Sequence, residues 1–331
     1  MPRIDWESQI GRRLRLRDLH VFSTVIRLGS MGKAAQALGV TQPAVSEVIA
    51  DLEHALGVRL LDRAPQGVNV TAYGAALERR SRVAFDELKQ GVKDIEFLAD
   101  PTVGEVRVGC PESISAAVLQ PILEEFTRRY PRVVLDIDTV NNLSVVQQLK
   151  ERNLDVALAR DGWPLDNARL VADLNVETLC EDELVIVADS RSQWARRRRI
   201  DIADLRGERW ILTSDDRLNY QVIAKAFQKR GIQMPDVCMK TISVHVRMNM
   251  VATGRFITTF PRSVLDLYGE RFGLKALPVA LFDAGWPIKI VTLRNRTLSS
   301  VVEHFIACAK DVVKSTAERP GGRKRPIVRS P

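Results

Sequence analysis

The sequence lacks any long hydrophobic run. No stretch of about 18 consecutive apolar residues occurs, so we expect no membrane-spanning helix. The first 13 residues contain Asp5 and Glu7 and no apolar segment, which argues against a signal peptide and for a cytoplasmic protein. With 331 residues, of which 45% are hydrophobic, the chain can form two or three domains with sizeable cores.

Cysteine and histidine are scarce and scattered. The four cysteines are Cys110, Cys180, Cys238 and Cys308, and the four histidines are His20, His54, His245 and His304. Neither set has the spacing of a zinc site, so we expect no metal, and reduced thiols are the default for a cytosolic protein. A redox-sensing cysteine pair is an alternative. No set of nucleophile, acid and base stands out, so we expect neither enzyme activity nor a cofactor.

The positive charge of the chain is not concentrated in its first 100 residues. The net charge of +8 suggests a polyanionic partner. However, residues 1–100 hold 14 Lys and Arg against 13 Asp and Glu, whereas residues 319–331 hold five basic residues and no acidic one. The excess therefore mostly reports the C-terminal tail. The run Arg196–Arg199 is expected to be a solvated face, with a nucleic-acid contact as the alternative.

Two short helices with a tight turn between them are predicted within Ser30–Leu56. Ser30 can cap the first helix, and Gly39 can end it because glycine enters the left-handed region without penalty. Thr41 can cap the second helix, with Pro43 in its first turn. An apolar stripe follows at helical spacing, formed by Val45, Val48, Ile49, Leu52 and Leu56. This layout is typical of a helix-turn-helix, and a helical hairpin in an ordinary core is the alternative.

Several motifs at fixed spacing resemble the winged helix-turn-helix of LysR-type transcriptional regulators. They are LRDLHVF at 16–22, GSMGKAAQALGVTQPAVS at 29–46, LEHALGVRLLDR at 52–63 and the VT pair at 70–71. The resemblance continues to about residue 315, through a domain similar to the effector-binding domain of that family. It implies a regulator that binds double-stranded DNA, responds to a small anionic effector, assembles as a homodimer or homotetramer and contacts RNA polymerase.

The resemblance and the alternation of strands and helices predict a multidomain α+β protein. The expected parts are a flexible leader (1–13), a winged helix-turn-helix (14–71, with the helix-turn-helix at 30–49), a linker and dimerisation helix (72–100), an effector-binding domain (101–316) and a basic disordered tail (317–331). The effector-binding domain should form two α/β lobes of the type-2 periplasmic-binding-protein type. Lobe I is expected at about 101–161 and 266–316, and lobe II at about 162–265. The chain should cross between them near Arg160–Pro164 and Pro261–Asp266.

The resemblance also implies DNA contacts. The expected base readers at the start of the recognition helix are Gln42, Pro43, Ala44 and Ser46. Glutamine can pair bidentately with adenine, and Pro43 and Ala44 offer apolar contact to a thymine methyl group. Ser30 and Thr41 fit phosphate contacts. Arg59 and Arg63 match positions near the DNA backbone, although Arg63 could instead form an ion pair within its own domain.

Three residues depart from the family pattern. Glu47 stands where arginine is common, so it either repels phosphate and tunes base readout, or pairs with a nearby cation. Gln66 stands where the wing often carries a cation. Leu61 replaces the usual phenylalanine, a mild change of the core. The first two departures predict weak electrostatic anchoring of this domain to DNA.

Capping residues follow the strands expected to border the effector cleft. They are Ser113, a predicted N-cap, with Ser115 after the first strand, then Asn141 and Asn142, and Thr213 and Ser214 in the other lobe. Arg160 and Thr258 are weaker candidates near the lobe crossings. Each alone is an ordinary cap, and the resemblance implies that together they face one ligand cleft.

The predicted long helix has a narrow apolar stripe near heptad spacing. Its members are Leu77, Ala84, Leu88, Ile95 and Leu98. A helix from a second subunit would cover this stripe, and packing against its own domain is the alternative.

For the whole protein, two other functions compete with a transcriptional regulator. One is an exported solute-binding protein, supported only by the α/β lobes, and the other is an enzyme on an α/β scaffold.

Overall fold

The computed structural model describes residues 14–64, 67–160, 165, 167–214, 218–281 and 285–317. The predicted leader, Gln66 and the tail beyond residue 317 lie outside the described residues. The chain divides into two compact units, residues 1–92 and 93–331. In the described segments, the helices are not long and apolar enough to cross a membrane.

The first unit contains three helices, a two-stranded hairpin and most of a long helix. The elements are α1 (Leu16–Leu28), α2 (Met31–Leu38), α3 (Gln42–Leu56), β1 (Leu61–Ala64), β2 (Gly67–Val70) and α4 (Ala72–Ala99). The two strands pair antiparallel. Helices α1, α2 and α3 pack around Phe22, Val25, Ala34, Ile49 and Leu52. The small alanines allow α3 to approach α2 closely, as the helix-turn-helix requires.

The predicted caps of the helix-turn-helix are confirmed. The Ser30 hydroxyl accepts a hydrogen bond from the Lys33 amide at 3.5 Å, and the Thr41 hydroxyl accepts one from the Ala44 amide at 3.4 Å. Gly39 ends α2 with φ of +66°, a conformation that side chains disfavour. Sequence-local chemistry therefore sets where α3 begins.

Close backbone contacts hold the wing hairpin. Gly67 has φ of +138°, and a Cβ atom there would lie 2.2 Å from the Gly29 carbonyl oxygen. The Val68 amide donates to that same oxygen at 3.1 Å. The Glu53 carboxylate accepts hydrogen bonds from the Leu60 and Leu61 amides at 2.7 and 3.0 Å. These contacts tie the hairpin to α1 and α3.

The second unit alternates strands and helices. In chain order it contains the end of α4, then β3 (Val103–Cys110), α5 (Glu112–Ile114), a π-helical turn (Ser115–Leu119), α6 (Gln120–Arg129), β4 (Arg132–Thr139), α7 (Asn142–Lys150), β5 (Val156–Arg160), α8 (Ala168–Val171), β6 (Leu174–Cys180), β7 (Leu184–Asp189), two 3-10 turns (Trp194–Arg196 and Ile202–Leu205), β8 (Trp210–Leu212), α9 (Leu218–Gln228), β9 (Val237–Lys240), α10 (Val244–Val251), β10 (Ile257–Pro261), α11 (Arg262–Phe272), β11 (Leu274–Ala276), β12 (Ile288–Leu293) and α12 (Ser300–Ala317).

Two five-stranded sheets form two lobes, which confirms the predicted fold class. Lobe I has the strand order β4-β3-β5-β12-β6, and lobe II has the order β11-β7-β10-β8-β9. In lobe I, β3 is parallel to β4 and β5, whereas β12 is antiparallel to β5 and β6. In lobe II, β8 is parallel to β9 and β10, whereas β7 is antiparallel to β10 and β11. Each sheet is therefore mixed.

The predicted lobe boundaries differ from the observed ones. Strand β6 was expected in lobe II, but it pairs with β12 in lobe I. Strand β11 was expected in lobe I, but it pairs with β7 in lobe II. The chain therefore crosses between Cys180 and Leu184, and again between Ala276 and Ile288. The hydrophobic pattern predicts strands, but it cannot reveal which partner strand β6 or β11 will pair with.

A buried carboxylate joins the end of α4 to lobe I. Asp155 is 1% exposed and accepts hydrogen bonds from the Arg107 guanidinium at 2.7 and 3.1 Å and from Arg296 at 2.8 Å. Lys93 Nζ, at the end of α4, lies 3.8 Å from the same carboxylate. Burial alone would raise the pKa of Asp155, but Arg107 and Lys93 outweigh it and the pKa is lowered. Three cations thus converge on one buried anion.

Candidate functional site

The start of α3 presents exposed side chains. Thr41, Gln42 and Pro43 are exposed, and Ala44 is half-buried. A Cβ atom added to Gly32 would lie 3.5 Å from the Gln42 side-chain oxygen, so the Gln42 amide sits beside the start of α2. Two of the predicted base readers, Gln42 and Pro43, are therefore exposed, and they lie where the free amides of a helix N-terminus are found.

The other predicted DNA contacts divide by their use within the unit. Ser46 donates to the Met31 sulfur at 3.3 Å, so its hydroxyl faces α2. The Ser30 hydroxyl accepts the capping hydrogen bond from the Lys33 amide. Arg59 is exposed, whereas Arg63 lies in β1 with a side chain outside the described residues. Glu47 is exposed and forms no ion pair with another described residue, which favours the reading that it faces solvent or DNA.

The segment of lobe I that follows β3 differs in detail from the prediction. Ser113 was expected to cap the helix after β3, but Pro111 occupies the N-cap position and Glu112 begins the helix. The prediction was wrong because proline's fixed φ suits the residue that precedes a helix as well as its first turn. Ser115 donates to the Glu112 carbonyl at 3.0 Å, at the point where α5 ends and the π-helical turn begins.

The two asparagines behave as a cap and a bridge. The Asn141 side chain accepts from the Ser144 amide at 3.0 Å and caps α7, as predicted. The Asn142 side-chain amide donates to the Arg160 carbonyl at 3.1 Å. Asn142 therefore fixes the end of β5, where Arg160 stands.

Arg160 contacts both segments in which the chain crosses between the lobes. It is 1% exposed, and its Nη1 donates to Asp182 at 2.9 Å and to the Trp286 carbonyl at 3.3 Å. The guanidinium stacks on the Trp286 ring at 4.6 Å. Nε lies 3.5 Å from the Ser113 hydroxyl, and Nη2 has no hydrogen-bond partner among the described residues. Burial lowers the pKa of Arg160, against the charge of Asp182.

The predicted contacts in lobe II are mostly committed to the fold. The Thr258 hydroxyl donates to the Ile211 carbonyl at 2.6 Å and is fully buried, so it ties β10 to β8. Thr213 is buried and bonds the Asn219 side chain. Ser214 is exposed at the end of β8. This use of the Thr258 hydroxyl within the sheet weighs against the predicted effector contact, which stays a prediction.

Several charged residues at or near the contacts between the two lobes were missed from the sequence. Asp182 links the lobes: its carboxylate accepts from Arg160 and from the Ser263 hydroxyl at 2.7 Å. Glu112 reaches the start of α10, and Arg247 is buried below that point. Glu112 does follow β3 directly, which could have drawn attention to it. Nothing local in the sequence distinguishes Asp182 or Arg247.

The cysteines of the second unit give little support to redox sensing. Burial raises the pKa of Cys110 and of Cys180 to about 12, so neither is a thiolate at neutral pH. Cys308 is also buried, and burial raises its pKa. The four thiols are all free.

A winged helix-turn-helix joined to a two-lobed α/β domain defines a DNA-binding regulator that carries a ligand-binding type of domain. Residues 16–75 match the family described as the bacterial regulatory helix-turn-helix protein, lysR family. Residues 99–314 match the LysR substrate binding domain. The chain therefore belongs to the LysR family of transcriptional regulators, as its motifs predicted.

Individual relatives agree with this assignment. The chain is 30% identical over 319 residues to the HTH-type transcriptional regulator TdcA of Escherichia coli, covering 95% of this chain and 97% of that protein. A full-length OxyR variant from Pseudomonas aeruginosa aligns with a TM-score of 0.65 and 18% identity, covering 95% of this chain and 99% of that one. Full-length CbnR complexed with its target DNA aligns at 0.60 and 19% identity, covering 90% and 100% respectively. The two structures support the fold alone.

The family assignment establishes the class of function. The protein is a LysR-type DNA-binding transcriptional regulator with a substrate-binding domain. Its relatives are regulators of transcription and not enzymes.

Proposed function

We propose that the protein binds a specific operator and that a small anionic effector in the cleft between lobes I and II modulates this binding. The observation that carries the proposal is Arg160. Its side chain is buried at the hinge, and its Nη2 lacks a hydrogen-bond partner in the part of the chain that the structure describes. A buried donor left unpaired is costly, and a ligand acceptor would satisfy it.

An anion fits the charges around Arg160 better than a neutral ligand does. Asp182 engages only Nη1, so an oxyanion could bind the other side of the planar guanidinium fork. The lobes also differ in charge, and the positive excess that was assigned mostly to the C-terminal tail is in fact larger in lobe II. Residues 184–276, which span lobe II, contain 17 Lys and Arg against 9 Asp and Glu, a net charge of +8. This excess favours the entry of anions.

The contacts of Arg160 and Asp182 between the lobes provide a way for a bound ligand to change how the two lobes close. Arg160 in lobe I holds Asp182, which also accepts from Ser263 at the start of α11 in lobe II. A ligand that takes hydrogen bonds from Arg160 would change the balance of these contacts and so the preferred closure of the lobes. Differential affinity for two closures is what allows a ligand to shift their populations.

On the DNA side, we propose that α3 enters the major groove by its N-terminal end, with Gln42 as the main base reader. Thr41, Pro43 and Ala44 accompany it, and the exposed Arg59 lies near the backbone. Glu47 then repels nearby phosphate and so tunes the base readout by α3. This arrangement rests on the exposure of these residues at the start of α3.

We further propose that α4 is the subunit interface. Leu88, Ile95 and Leu98 are 51%, 68% and 79% exposed, and Ala84 on the same face is exposed as well. Only Leu77 of the predicted stripe packs within its own unit. Large apolar side chains left exposed on one helix face favour cover by a second subunit. From the family assignment, and not from α4, we also propose that this homodimer or homotetramer is cytoplasmic and contacts RNA polymerase.

The effector proposal is tested through Arg160. Small mono- and dicarboxylates and inorganic phosphate are screened as probes by their effect on the melting temperature. A ligand that binds only the folded state raises the melting temperature, because at 100 times its Kd it adds about 2.7 kcal/mol to the free energy of unfolding. We expect a subset of the probes to stabilise the wild type, and Arg160→Gln to abolish that shift.

Arg262→Gln is the matched control, since Arg262 also pairs with a carboxylate near the hinge, Glu183, but is partly exposed. It should leave the shift intact. An Arg160→Gln protein that folds and keeps the full ligand-induced shift would overturn the proposed site.

A further inference from the structure

A carboxylate of lobe I is docked on the N-terminus of a lobe II helix. Glu112, the first residue of α5, accepts a hydrogen bond from the Val244 amide through Oε1 at 3.0 Å. Val244 is the first residue of α10. The Ser243 hydroxyl accepts from the Val246 amide at 3.3 Å, so two capping groups serve this helix start, and one of them comes from the other lobe.

Arg247, a buried residue of α10 itself, adds a positive charge near the start of this helix. It is 3% exposed, and its guanidinium donates to the Thr259 carbonyl at 2.8 Å and to the Ile242 carbonyl at 3.4 Å. The contact with Ile242 places the guanidinium at the level of the residue before the Ser243 cap. Nε has no hydrogen-bond partner within the described segments. The guanidinium also stacks on the Phe260 ring at 4.7 Å.

The charge of Arg247 is balanced only from a distance. In the described part of the chain, no carboxylate lies within ion-pair distance of its guanidinium. Burial lowers the pKa of Arg247 to about 10, and the charge of Glu112 opposes that shift. A buried cation served only by carbonyl groups, beside a helix N-terminus, is an environment that favours an anion.

We propose that the N-terminus of α10 and Arg247 form an oxyanion subsite, and that Glu112 occupies it as an internal competitor of the effector. This inference rests on the proposed effector cleft and adds how that cleft is regulated. With Glu112 docked, the two lobes are joined across the cleft. An effector carboxylate or phosphate that takes the Val244 amide releases Glu112 and frees lobe II to move.

The subsite predicts that removing the charge of Glu112 favours external anions. Glu112→Gln keeps the size of the side chain and an acceptor for the Val244 amide, but removes the competing charge. Binding of succinate and of inorganic phosphate is measured by calorimetry on the full-length protein, with the neutral succinamide as a third probe. Both anions should bind the variant about fivefold or more tightly than the wild type, the lower end of typical coupling between two binding events. Succinamide should show no such gain.

A second measurement follows the contact itself. Glu112→Ala should increase hydrogen exchange at the Val244 amide, and the bound anion should restore protection there. Glu124→Gln is the control, because Glu124 is an exposed carboxylate on a neighbouring helix of the same lobe. It should change neither anion affinity nor exchange. The melting temperature without ligand reports whether each variant folds.

The outcomes separate the two proposals. Anion binding that depends on Arg160 but is unchanged in Glu112→Gln overturns the competitor role alone. Equal gains for succinamide and succinate also overturn it, because charge would then not be the cause. Absence of binding by any anion to both wild type and Glu112→Gln overturns this inference together with the proposed cleft.

Discussion

Replacing Asp155 with alanine is expected to lower the free energy of unfolding by about 3–5 kcal/mol, the usual cost of removing one partner from a buried ion pair. The change would remove the Asp155 carboxylate that both Arg107 and Arg296 contact, and the side chain of Arg296 is only 1% exposed. It would also remove one of the two carboxylates near Lys93, whose Nζ would keep its ion pair with Glu105 of β3 at 3.2 Å. Denaturant unfolding of the full-length protein measures the effect.

Asp136→Ala is the control for this prediction, because Asp136 is exposed on the neighbouring strand β4. Its effect should stay within about 0.5 kcal/mol. The sign of the pH dependence follows from the lowered pKa of Asp155. Its contribution is fully present above the unfolded pKa of about 3.9 and is lost as the pH falls through the folded value. An Asp155→Ala protein as stable as wild type would show that the network is not structural.

Replacing Leu88 and Ile95 together with lysine is expected to convert the protein to monomers. Both side chains are more than half exposed on one face of α4, so the isolated subunit should tolerate the change. A second subunit would have to bury two charges at the interface. Linking two DNA-binding modules typically raises affinity by 10²–10⁴, so the monomer should lose about 100-fold in operator affinity.

Sedimentation equilibrium and anisotropy titrations check this second prediction. Leu267→Lys serves as the control, since Leu267 is 46% exposed on α11 of lobe II. It should leave both the oligomeric state and DNA affinity unchanged. A double variant that sediments as an intact dimer and binds DNA normally would show that α4 is not the interface.

Local chemistry was enough to predict the first unit. Ser30, Gly39 and Thr41 mark the ends of α2 and α3 through caps and a left-handed glycine, all within a few residues of sequence. Each helix start therefore follows from neighbours that the sequence displays. Helix α4, Ala72–Ala99, was predicted at 72–100, and the Thr71 hydroxyl caps its start by accepting a hydrogen bond from the Gly74 amide at 3.0 Å.

The cleft could be predicted only in outline. Arg160 was a candidate, but its partners Asp182 and Trp286 lie 22 and 126 residues further along the chain. Glu112 and Val244 are 132 residues apart. Such contacts depend on strand order, and strand order depends on pairings that a local hydrophobic pattern does not encode. The wrong lobe crossings and the missed Glu112 have this common cause.

The central claim is that the start of α3 reads DNA sequence, and Gln42 tests it most directly. The wild-type protein first selects a duplex from a random pool, and Gln42→Ala is then titrated by anisotropy against that duplex and a scrambled one, at two salt concentrations. Losing a bidentate base contact costs about 1–3 kcal/mol, so the selected duplex should bind roughly tenfold more weakly or worse. Binding to the scrambled duplex and the salt dependence should be unchanged. An equal loss on both duplexes would contradict the account, because Gln42 would then position the helix without reading bases.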